Sequence, residues 1–95
     1  MTTISEIEKT TGTASGQASA ELKGITGAEA LRRGMASSSG AGGTVNLVDA
    51  HRWFNIAAVL GEEEAALLRS ETALDMTKQE LAAALRAARE FMTLH

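Results

Sequence analysis

The chain contains no cysteine, no proline and no tyrosine. Without cysteine it has neither a disulfide framework nor a thiolate zinc site, and the redox compartment leaves no mark on it. Without proline nothing forbids long helices. Aromatic side chains are scarce as well: Trp53, Phe54 and Phe91 are the whole set in 95 residues. Hydrophobic residues reach 44%, but alanine supplies much of that figure and buries little area. A core built from one copy is therefore thin, and a chain this short makes at most one small domain. Small scaffolds compensate with disulfides, metals or oligomerisation. Here the composition points to oligomerisation, or to docking on something larger.

Positive charge is also in short supply. The formal net charge is −3, and it is unevenly placed. Residues 1–44 hold four basic and four acidic side chains, whereas residues 45–95 hold five basic and eight acidic. Nucleic acid calls for a basic face, which an acidic C-terminal half does not offer, and the single adjacent pair Arg32-Arg33 makes a poor phosphate clamp. No apolar run approaches the length of a membrane span; the longest in the C-terminal half free of charge and glycine is "WFNIAAVL". The opening "MTTISEIEK" has neither a basic lead nor an apolar core, so no secretory signal is expected there.

The chain changes character near Thr44. Before it serine, threonine, glycine and alanine dominate, and residues 1–43 read as a flexible segment carrying short helices. Two helix starts are legible. Thr3 and Glu6 form one capping box, and Thr26 and Glu29 a second, with Ile25 placed as a hydrophobic staple. The first helix is expected to end by Gly12 and the second by Gly34, followed by a flexible linker, "SSSGAGG" at residues 37–43. Residues 44–95 form the second unit. Asn46 is a natural N-cap, and Asp49 complements the dipole in the first turn.

Leu60, Leu67, Leu74 and Leu81 recur every seventh residue, and Trp53 extends the row one step back. Gly61 interrupts it with a residue that costs a helix only about 1 kcal/mol, so the unbroken phase argues for one helix. The expected fold class is all-α, without strands: a long amphipathic helix over about residues 46–93, bent at most at Gly61. With the leucines at d of a heptad, Glu64, Glu71 and Lys78 fall at a. A parallel in-register homodimer would set Glu64 against Glu64 and Glu71 against Glu71, which excludes a simple leucine zipper. On a straight helix the row drifts by about 20° per heptad into a band of ordinary amphipathic width. That band holds Trp53, Ile56, Leu60, Leu67, Leu74, Leu81, Leu85 and Met92, the candidate interface. Trp53 and Phe54 read most simply as a core anchor, although adjacent aromatics on a helix diverge, which leaves one of them to face a partner.

Residues with chemical capability are isolated. His51 and His95 provide no paired metal ligands at helical spacing, and no zinc-protease motif occurs. Glu62, Glu63 and Glu64 point apart on a helix and read as a solvated helix start. The glycines of residues 40–44 lack the lysine of a phosphate loop. Ser37, Ser38 and Ser39 have no base near them. No catalytic residue, cofactor or metal is expected. A flexible N-terminal half followed by a long acidic helix resembles, in architecture alone, small subunits of virions and secretion filaments. The expected function is accordingly a non-enzymatic structural subunit of a multi-copy assembly, whose partners are other protein subunits, copies of itself included. The alternative is a small regulatory or inhibitory adaptor, or a chaperone, binding one target protein.

Overall fold

The computed structural model describes residues 21–41 and 43–93, and among these it is mostly helical, as expected. A minimal hairpin comes first: β1 (Glu21–Leu22) pairs antiparallel with β2 (Ile25–Thr26), Glu21 opposite Thr26 and Leu22 opposite Ile25. Its two-residue turn, Lys23-Gly24, holds both residues at positive φ, 56° and 78°, the type I′ geometry whose twist matches that of paired strands. This short pairing departs from a wholly strand-free chain. Four helices follow: α1 (Gly27–Ser39), α2 (Leu47–Val59), α3 (Glu63–Ala73) and α4 (Lys78–Thr93). The expected Thr3–Glu6 capping box and a helix end at Gly12 lie outside the described residues.

Helix α1 starts where the sequence says. The Thr26 side chain accepts a hydrogen bond from the amide of Glu29 at 3.0 Å. Glu29 does not reach back; its carboxylate pairs with Arg32 and Arg33 instead. The helix does not end at Gly34 but runs through it to Ser39, because Gly34 is a contact point rather than a stop. A β-carbon there would lie 2.6 Å from the Phe54 ring. The true cap is Gly40, left-handed at φ 78°, whose amide and that of Ala41 both donate to the Ala36 carbonyl at 3.0 and 3.1 Å. Ser38 and Ser39 donate their hydroxyls to the carbonyls of Met35 and Ala36. The serine run is thus the last turn of a helix, not a linker. The Asn46 amide then donates to the Ser37 carbonyl at 2.9 Å, which ties the connection down.

The single C-terminal helix is replaced by three. Asn46 caps α2 as anticipated, its Oδ1 accepting from the Asp49 amide at 2.9 Å. The helix stops at Leu60, and Gly61 takes φ 105°, a value that L side chains rarely adopt. The Glu62 amide donates back to the Ala57 carbonyl at 3.0 Å, and α3 folds against α2. Unbroken phase across Gly61 argued otherwise, but folding back brings Ala65 onto Ile56, Ala57 and Leu60 and buries all four. Folding back also keeps Ile56 and Leu60 covered, and burying one large aliphatic side chain is worth about 1.5–3 kcal/mol. A second break follows Ala73. The amides of Leu74, Asp75 and Met76 donate to the carbonyls of Glu71, Thr72 and Ala73, a tightened final turn. Thr77 and Glu80 then restart the helix with a reciprocal capping box, Thr77 N to Glu80 Oε1 at 2.9 Å and Glu80 N to Thr77 Oγ1 at 3.0 Å.

Helix α2 is the axis of the fold and packs against α1, α3 and α4. Both of its aromatics are therefore buried in the chain's own core, as a core anchor is, and neither is left to face a partner. Trp53 points toward α4, where the Phe91 ring meets it edge-on at 5.5 Å. Phe54 points toward α1 and Gly34. The guanidinium groups of Arg33 and Arg52 stand over the Trp53 ring at 5.0 and 4.4 Å, and Lys23 stands over Phe91 at 5.1 Å. Around them the core is largely alanine: Ala30, Ala50, Ala57, Ala65, Ala84 and Ala88 are all fully buried. Alanine surfaces let helices approach closely but bury little area. No described helix is long and apolar enough to cross a membrane.

Candidate functional site

The turn at Gly61 divides the leucine row. Trp53, Ile56 and Leu60 enter the chain's own core; Met92 packs half-buried against it, and Leu81 is half-buried on α4. Leu67, Leu74 and Leu85 stay outside, 62%, 84% and 40% exposed. The eight residues read as one band thus fall on two sides of the structure, three in the core and three in solvent.

Helix α3 explains why. Its buried residues are Ala65 and Thr72, seven apart on one face, and this small face lies against α2. Residues 67 and 74 sit two positions further on, about 200° around the helix axis. The leucines consequently point away from the core while alanine and threonine point into it, the reverse of an ordinary surface helix. Thr72 is satisfied within its own helix, its hydroxyl donating to the Leu68 carbonyl at 2.8 Å. Arg69 fixes the helix rotation, donating to Asn55 Oδ1 on α2 at 2.8 Å. The outward stripe reads Glu64, Leu67 and Glu71 on α3 and continues to Leu74, its C-cap, which keeps helical φ and ψ; every member is exposed.

Helix α4 carries a second outward stripe. Ala84 and Ala88 are its buried contacts with α2, whereas Lys78, Ala82, Leu85 and Arg89 are exposed along the other side. No packed interface joins α3 to α4. Among the described residues ion pairs join Glu29 to Arg32 and Arg33, and Asp49 to Arg52; the charges of the two stripes are in none of them.

An open groove of about 470 Å³ lies between the end of α1, α2 and α3. Met35, Leu47, Phe54 and Leu68 supply its apolar lining, and Glu71 and Asp75 its acidic one. Sequence reasoning did not assemble these residues, because the helical serine run and the Gly61 turn bring them together. Ser38 and Ser39 also line it, with their hydroxyls engaged by their own helix. Among the described residues no group of three histidine, aspartate or glutamate side chains is placed to hold a metal ion. His51 is buried in α2 and its Nδ1 has no hydrogen-bond partner. Desolvation, with the Arg69 charge adding to it, lowers its pKa below the ordinary histidine value. It does not line the groove, so it offers no base to the serines there.

Comparison with protein-family models, with curated proteins and with solved structures finds no match to this chain.

Proposed function

We propose that the chain is a non-enzymatic structural subunit of a multi-copy protein assembly, and that it joins its neighbours through the outward leucines of α3. One observation carries the reading: Leu67 and Leu74 stand in solvent while alanine and threonine fill the inner face of the same helix. Exposed leucines set in a row are unfavourable in water and become favourable when a second surface covers them. The thin alanine core gives further support, since association supplies burial that one copy lacks. The test replaces either leucine by aspartate. Wild type should self-associate in sedimentation velocity, and Leu67→Asp or Leu74→Asp should weaken that association by about tenfold or more. Because both positions are exposed, the circular dichroism of the variants should match wild type. Variants that associate as wild type does would overturn the reading.

The groove favours a second reading, an adaptor that holds one target protein. Its lining suits an apolar side chain flanked by a basic one, able to reach Glu71 and Asp75. A wild-type chain that remains a monomer throughout the concentration series would favour the adaptor over the subunit.

A further inference from the structure

We infer that the leucine stripe of α3 docks on the exposed stripe of α4 of a second copy, in a head-to-tail contact that leaves each copy with one acidic and one basic docking surface. The inference rests on the self-associating reading above and specifies which surfaces meet. The α3 stripe runs Glu64, Leu67, Glu71, Leu74, and the α4 stripe runs Lys78, Ala82, Leu85, Arg89; all eight are exposed. Residues 61–77 carry five acidic side chains and one basic, whereas residues 78–93 carry three basic and two acidic. The two surfaces are therefore of opposite sign, and among the described residues none of the stripe charges, Glu64, Glu71, Lys78 and Arg89, is in an ion pair within the chain.

Pairing α3 with its own copy fails on the same charges. In register it sets Glu64 and Glu71 against themselves, and antiparallel it sets each glutamate opposite a leucine, four carboxylates at the seam with no cation in either stripe to pair them. Pairing with α4 in the antiparallel sense does better. At 1.5 Å per residue, Glu64, Leu67, Glu71 and Leu74 fall at about 0, 4.5, 10.5 and 15 Å along their helix. Read backwards, Arg89, Leu85, Ala82 and Lys78 fall at about 0, 6, 10.5 and 16.5 Å. Glu64 then meets Arg89, Leu67 meets Leu85, and Leu74 lies on the aliphatic stem of Lys78. Glu71 passes over Ala82, the small residue of the stripe, within reach of the basic residues to either side. Each surface complements the other and not itself, so the contact is heterologous. A heterologous contact propagates to a closed ring or an open filament, as a multi-copy assembly requires.

Charge reversal tests this without disturbing the fold, since every position involved is exposed. One variant combines Glu64→Lys with Glu71→Lys, and the other combines Lys78→Glu with Arg89→Glu; circular dichroism confirms that each is folded. Each alone should lose self-association by about tenfold or more, through like charges at the contact. Mixed in equal amounts they should regain it, because the basic α3 of the first meets the acidic α4 of the second, and the reverse junction also pairs opposite signs. Wild-type association should in addition weaken as sodium chloride rises from about 0.1 to about 1 M and the screening length falls from about 10 to about 3 Å. If wild type associates but the reversals change nothing, or if mixing restores nothing, this docking is wrong while the subunit reading stands. A wild type that is monomeric throughout overturns both.

Discussion

Gly34 shows how one residue can be misread when its neighbour in space is unknown. Along the chain a glycine inside a helical pattern is a weak point, and it reads as the end of α1. In the structure it is the flat spot on which the Phe54 ring rests, with a β-carbon prevented by ring atoms at 2.6 Å. Alanine improves helix propensity by just under about 1 kcal/mol. Overpacking a closed contact costs about 1–3 kcal/mol, because the ring must leave its rotamer or the helices must separate. Gly34→Ala is therefore expected to destabilise the chain by up to about 2 kcal/mol net, seen as a lower urea midpoint with the slope unchanged. A rise in the midpoint would mean that the ring moves aside freely and that the α1–α2 contact is loose. Phe54 carries the same lesson from the other side: its burial against a glycine has no signature in helical periodicity.

Helix boundaries were legible where a cap stated them and illegible where packing decided. Thr26 and Asn46 announced their helices, and each accepts the hydrogen bond that its residue type promised. The capping box at Thr77–Glu80 was equally present in "TKQE", yet the regular step from Leu74 to Leu81 concealed it. A seven-residue repeat reads as one helix only if the chain has nothing to gain by folding back. Here Ala65 gains full burial against α2 by doing so, and Gly61 makes the turn possible at φ 105°. The candidate interface divides for the same reason: one band becomes two surfaces once Leu60 and Leu67 fall on opposite sides of a turn. If the capping box holds the break open, Thr77→Ala should remove about 1 kcal/mol of stability. Thr77→Ser, which keeps the hydroxyl, should stay within about 0.5 kcal/mol of wild type. Equal losses in chemical denaturation for the two would show that the break is set by tertiary packing alone.

At the scale of the molecule, six fully buried alanines among the described residues leave Trp53, Phe54, Ile56 and Leu60 as the large buried apolar side chains there. A chain of that kind has little stability in hand, and whatever binds the folded state shifts the balance through mass action. If copies cover the α3 leucines, the melting temperature must depend on protein concentration. The stabilisation grows as RT ln(1 + [L]/Kd), about 2.7 kcal/mol when the partner stands at about 100 times the dissociation constant. For a domain of this size each kcal/mol moves the transition by about 4–8 °C, so a hundredfold concentration series should raise the wild-type melting temperature by several degrees. Leu74→Asp should flatten that series. At low concentration, where wild type is also dissociated, the two should melt alike, because Leu74 is 84% exposed and takes no part in the core. Curves that rise equally in both would place the contact elsewhere on the molecule. A variant that melts lower at every concentration would show that Leu74 belongs to the fold of the single chain.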